Sequence, residues 1–145
     1  MELIDNIDDV PDLHSFDDKF KNMPKLIVFD DFITLSPKDM VKINEYLISG
    51  RKYGFSCWLM AQNYISVQNI ITRNTQYFVT FKLNDNVSID RIIKNHNVNN
   101  ISETVFKKYY VEATKEKFNF FMIDLKTTNQ NEMLRKNFLG FYRIH

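Results

Sequence analysis

Apolar residues recur along this chain with two different periods, and the switches between them outline the elements. Leu26-Ile27-Val28-Phe29 is a short apolar run that ends in acid at Asp30. Its length and β-branching predict a buried strand rather than a helix. Ser36-Pro37 predicts a helix start, with Ser as N-cap and Pro at the first helical position. Met40, Ile43, Leu47 and Ile48 continue it at helical spacing, and Gly50 and Gly54 punctuate the exit. A second apolar run predicts a strand over residues 55–61, followed by a short helix over 67–71. Tyr77, Val79, Phe81 and Leu83 alternate with Gln76, Thr80 and Lys82, which predicts a third strand over 76–83. Helices are predicted over 87–94 and 102–113 and a fourth strand over 118–125. Residues 134–141 are left as a tail. Upstream, a short helix is predicted around residues 15–22, stopped by Pro24.

Strands alternating with helices predict an α/β fold, with a mostly parallel sheet and helices on both faces. In such sheets ligands sit at the carboxyl ends of the strands. That directs attention to Asp30-Asp31, to Gln62-Asn63 and to the loop after Leu83. The chain divides into an acidic lead-in, residues 1–24, and a folded domain, residues 25–145.

Composition narrows the class. The 145 residues are 44% hydrophobic and 26% charged, a globular balance that rules out a fully disordered chain. The single cysteine, Cys57, cannot form an internal disulfide, so a reducing compartment is expected. No apolar run approaches the roughly 20 residues that span a bilayer, so no membrane partner is expected. The net charge of +1 is unevenly spread: residues 1–18 hold seven acids and no base, and residues 107–145 hold eight bases against four acids. The basic end permits nucleic-acid contact, but charge alone favours a solvated surface.

Three segments carry candidate chemistry. In LIVFDDF, four apolar residues deliver Asp30 and Asp31 to a strand's carboxyl end. Nucleotide hydrolysis uses such a pair: one acid holds the shell of a Mg²⁺ ion on the β and γ phosphates, and its neighbour polarises the attacking water. The plainer alternative is a strand followed by an Asp turn. Gln62 ends the next strand, where an amide can reach a γ-phosphate or the water. Gly50-Arg51-Lys52-Tyr53-Gly54 places Arg51 where it could serve a neighbouring subunit's phosphates; alternatively it is a helix end capped by cations and Gly. His14, His96 and His145 lack metal-ligand spacing, and Cys57 reads as packing.

Together the blocks LIVFDDF, GRKYGFSCWLMAQNY and ITRNTQYF, in this order, resemble the second half of an FtsK/HerA-type P-loop ATPase. They are most similar to the genome-packaging ATPases of poxvirus-type and other large DNA viruses. The resemblance runs from about Val10 to Asp124. It implies a RecA-like (ASCE P-loop NTPase) sheet truncated at its N-terminus, with residues 25–145 as the Walker B and sensor half. It implies Asp30 on Mg²⁺ through water, Asp31 as the catalytic acid, Gln62 as sensor, Arg51 as the trans-acting arginine and Arg73, beside Asn74, as a nucleotide contact. ATP and Mg²⁺ are the implied cofactors. The implied partners are double-stranded DNA, bound without sequence preference, and further copies in a homo-oligomeric ring. The implied location is the host cytoplasm, at a viral assembly site, or the virion. Lys107, Lys108 and Lys126 are the expected contacts to DNA phosphates.

One part of the pattern is missing. None of Gly50, Gly54 and Gly140 opens a G-x-x-x-x-G-K-[ST] loop, and the family's P-loop precedes Walker B. The chain alone is therefore expected to bind ATP poorly and to act with a P-loop-bearing half or subunit. The alternatives are a non-catalytic regulatory or interaction module, or the product of a split gene. The resemblance also implies that the absent P-loop strand belongs between the strands at 55–61 and 76–83.

Overall fold

The computed structural model describes residues 4, 6–16, 23–31, 36–96 and 101–144. It divides into two compact units, Met1–Asn74 and Thr75–His145.

The first unit is built on two parallel strands, β1 (Lys25–Asp30) and β2 (Phe55–Met60), paired in register from Lys25 opposite Phe55 to Asp30 opposite Met60. Helix α1 (Pro37–Ser49) connects them, with Ser36 Oγ accepting from Asp39 N at 3.3 Å as the expected cap. One helical pass returns the chain to the starting end of the sheet, which is what parallel pairing needs. Met40, Ile43 and Tyr46 of α1 are buried with Phe29 of β1. The short helix α2 (Asn69–Asn74) adds Ile71. The acidic segment belongs to this core as well, through Ile7, Val10 and Leu13 on two 3-10 turns. Tyr46 Oη donates to Pro11 O at 2.8 Å and clamps that segment to α1. The helix predicted at 15–22 falls mostly outside the described residues.

The second unit holds an antiparallel sheet in the order β3-β4-β5-β6: Tyr77–Thr80, Phe121–Asp124, Leu134–Lys136 and Gly140–Phe141. Helices α3 (Asn86–His96) and α4 (Glu103–Ala113) lie between β3 and β4, with Ser102 capping α4. A one-turn helix, α5 (Gln130–Met133), precedes β5. All four residues of β4 are buried, and Phe106 and Tyr110 of α4 meet Phe121 edge-to-face. Asp124 pairs with Arg135 of β5.

The extended parallel sheet is therefore corrected. Among the described residues only β1 and β2 are parallel, and β3 and β4 run antiparallel. The physical reason lies in the connection. Two consecutive helices reverse the chain twice, so the next strand enters from the opposite end. The tail at 134–141 is a β-hairpin whose strands are too short to show a period in sequence. No described helix is long and apolar enough to cross a membrane.

Candidate functional site

At the carboxyl end of the first unit's sheet, Gln62 Nε2 donates to Asp31 Oδ2 at 3.1 Å. The two residues are far apart in sequence and meet because β1 and β2 are parallel neighbours in register. Asp31 N donates to Met60 O at 3.1 Å, which carries the pairing one residue beyond the strands. Asp31 then turns the chain with φ 59°, the left-handed region that Asp tolerates better than most residues. That turn separates the two carboxylates. Asp30, the last residue of β1, is exposed and alternates with the buried Phe29, so it shares its sheet face with Leu26 and Val28. Asp31 and Gln62 are also exposed. The result is a solvent-facing edge with two acids and an amide.

Gln62 is followed by Asn63, whose Oδ1 accepts from Ile65 N at 2.9 Å and starts a 3-10 turn that buries Tyr64. This anchors the segment just past Gln62. Neither the Asn63 cap nor the left-handed Asp31 is announced by hydrophobic pattern. An Asn before a short apolar stretch is the only sequence hint of the first.

Arg51 lies at the opposite end of β2, exposed on the 3-10 turn Gly50–Tyr53. The turn is tightly built. Gly54 closes it with φ 79°, and a Cβ on Gly50 would come within 2.9 Å of Cys57 Sγ. It is also tethered: Tyr53 Oη lies 2.7 Å from His14 Nδ1, whose Nε2 lies 2.9 Å from Glu45 Oε1. Arg73 is exposed near the end of α2, and Asn74 Nδ2 donates back to Ile70 O at 2.8 Å, closing that helix. The structure thus joins Asp31 to Gln62, sets Asp30 beside them, and holds Arg51 and Arg73 on other elements.

Cys57 is packing, as read from sequence. Burial pushes its thiol up to about 11, and its Sγ donates to Tyr46 O at 3.1 Å. Among the described residues, no group of three His, Cys, Asp or Glu side chains could hold a metal by itself. Asp30 is a hard oxygen donor, which fits Mg²⁺, an ion usually held by one or two carboxylates plus water and phosphate. Of the expected DNA contacts, Lys107 is committed to ion pairs with Asp90 and Glu103, each at 2.7 Å. Lys108 and Lys126 remain exposed.

No family's sequence profile matches the chain, and no curated protein sequence matches it. Its fold is similar to that of the DNA-packaging ATPase B204 of Sulfolobus turreted icosahedral virus, with TM-score 0.56 and 18% identity over 83% of this chain and 52% of that one. It is also similar to the genome-packaging NTPase B204 of Sulfolobus turreted icosahedral virus 2. In the AMP complex of that protein the TM-score is 0.54 at 16% identity, over 77% of this chain and 50% of that one. In its ATP-γS complex the TM-score is 0.53 at 16% identity, with the same coverage. The chain spans about half the length of these solved structures.

Proposed function

We propose that this chain is the Walker B and sensor half of a viral DNA-packaging ATPase, acting with a P-loop-bearing half or subunit to couple ATP hydrolysis to DNA translocation. The observation that carries the reading is the Gln62–Asp31 hydrogen bond across two parallel strands at their carboxyl ends. It joins an acid and an amide at the carboxyl end of a parallel sheet, the region where α/β sheets meet their ligands, and that supports the reading. The structural neighbours lend support, since B204 is described in complexes with AMP, ATP-γS and AMPPCP.

Each residue then has a role. Asp31 accepts hydrogen bonds from, and polarises, the attacking water, and Gln62 holds the Asp31 carboxylate in place while sensing the γ-phosphate. Asp30 would hold Mg²⁺ through water, and the ion would supply neutralisation of charge on the β and γ phosphates. Arg51, at the far end of β2, serves a neighbouring subunit in a ring, where it stabilises transition-state charge. Arg73 contacts nucleotide. Double-stranded DNA is bound through phosphates, with Lys108 and Lys126 exposed for it. Such a protein works in the host cytoplasm or the virion.

The open surface of the first unit supports the half-domain reading. Leu26, Val28, Trp58 and Met60 share one face of the β1–β2 sheet, and each is at least 40% exposed. Strand β2 pairs with β1 alone among the described residues. An uncovered apolar face beside an unpaired edge is what a missing strand and helix would fill.

The test is Mg²⁺-ATP turnover by this chain mixed with the polypeptide of the same genome that carries the phosphate-binding loop. Turnover is expected in the mixture and absent from either component. Asp31→Asn should lower it by about 10²-fold or more, the scale of a lost catalytic base. Turnover indifferent to Asp31→Asn and Gln62→Ala would overturn the assignment.

A further inference from the structure

The second unit carries an aromatic surface, flanked by lysines, that the nucleotide reading does not use. It lies at the end of the sheet where β3 finishes and β4 begins. Phe118 stands in the loop before β4 with φ 68°, a backbone conformation L side chains rarely adopt, and is 80% exposed. A bulky apolar residue held outward against backbone preference is a reason to look for a ligand. The loop is fixed in place. Asn137, also left-handed at φ 56°, accepts from Phe120 N at 3.0 Å, donates its amide to Asn119 Oδ1 at 3.0 Å and donates its backbone N–H to Phe120 O at 2.9 Å. These bonds tie the loop to the β5–β6 turn, which presents Phe138 and Leu139, 62% and 85% exposed.

The rings form a row. Phe81, exposed just past β3, meets Phe120 edge-to-face at 5.9 Å, and Phe120 meets Phe138 at 5.0 Å. The turn Lys136–Gly140 lines a shallow groove of about 350 Å³. Cations outnumber acids in the segments that carry these rings. Lys115 and Lys117 are exposed, and Lys117 Nζ sits 5.0 Å from the Phe118 ring centroid. Lys136 Nζ is 3.9 Å from Glu116 Oε2, which also accepts from Asn119. Lys115, Lys117 and Lys136 thus set three cations against the one carboxylate of Glu116, which faces Lys136 and Asn119.

We propose that this end of the second unit binds DNA with unpaired bases, the lysines meeting phosphates and Phe118 and Phe138 offering ring faces for stacking. A polyanion with flat apolar faces complements cations interleaved with exposed rings. A purely apolar protein surface would complement the rings but leave the excess of cations without phosphates or acids to meet. The inference does not depend on the nucleotide reading, because no residue of the Asp31–Gln62 edge takes part.

The test is fluorescence anisotropy with labelled oligo-dT and with a duplex of equal length, at rising salt. Oligo-dT is expected to bind more tightly than duplex and to weaken steeply with salt. Phe118→Ala should weaken oligo-dT binding about 10-fold, the scale of one lost stacking ring, and Phe118→Trp should restore it. Lys117→Glu should weaken oligo-dT and duplex alike and flatten the salt slope. Phe118 is too exposed for its replacement to unfold the chain, and far-ultraviolet circular dichroism checks this. Oligo-dT binding unchanged in both Phe118→Ala and Lys117→Glu would overturn the proposal. So would duplex binding as tight as oligo-dT binding, or a Phe118→Ala effect on self-association alone.

Discussion

The two sheets of this molecule bury their strands differently. In the first unit β1 and β2 pack one face against α1 and the acidic segment, and leave Leu26, Val28, Trp58 and Met60 on the other. In the second unit β4 is paired on both edges and buried on both faces, with Phe121 and Ile123 fully enclosed. The same kind of residue, a large apolar side chain on a strand, is thus a core element in one sheet and a surface in the other. A central strand with its own helices supports itself. A two-stranded parallel sheet with one bare face leaves part of its apolar surface to solvent.

The largest expected effect tests that contrast by truncation. Ile123→Ala, in the enclosed strand, should cost about 2–5 kcal/mol in urea unfolding, through lost burial and a cavity. Trp58→Ala, on the open face, should change stability by about 0.5 kcal/mol or less. Equal losses at the two positions would mean the open face is covered in solution.

Acidification should weaken the second unit next. His96 is buried and stacked on Phe78 at 4.7 Å, and burial lowers its pKa to about 4 from the usual 6.5. Between those values the unfolded chain binds the extra proton, so stability is full above about pH 6.5 and falls as the pH drops toward 4. The loss should be on the order of 1–3 kcal/mol. Urea unfolding of wild type and His96→Phe across pH 4–7 measures it, and the variant's profile should be flatter there.

Gly50→Ala sharpens the account of the first unit. Its Cβ would press on Cys57 Sγ at 2.9 Å, so the cost should be about 1–3 kcal/mol, with the Arg51 turn displaced. Thermal unfolding reads it, and Cys57→Ala should partly rescue it by removing the obstructing sulfur.

How much of this was legible in the sequence follows from the same contrast. The first unit's strands were visible because each six-residue strand holds a four-residue apolar run, Leu26–Phe29 and Cys57–Met60, with a clear end. Ser36-Pro37 gave the helix start for the reason that it caps in the structure. The Asp30, Asp31 and Gln62 edge was foreseeable once those two strands were placed, since parallel strands bring their carboxyl ends together. The second unit was harder. Two helices in succession between β3 and β4 reverse the strand direction, a consequence that periodicity does not display. Strands β5 and β6 have three and two residues, too few for any period. The outward Phe118 depends on backbone conformation, which the hydrophobic pattern does not display. The acidic segment hid its contribution because Ile7, Val10 and Leu13 are spaced through a run dominated by acids.

Trp58, the chain's single tryptophan, sits on the open face and reports directly on whether that face docks a P-loop-bearing partner, as proposed. The decisive measurement is its emission as the P-loop-bearing polypeptide is titrated in. The account predicts a solvent-exposed spectrum for the chain alone, a blue shift that saturates at one partner per chain, and loss of the shift with Val28→Lys. An emission maximum unmoved by a partner that nevertheless binds would contradict it.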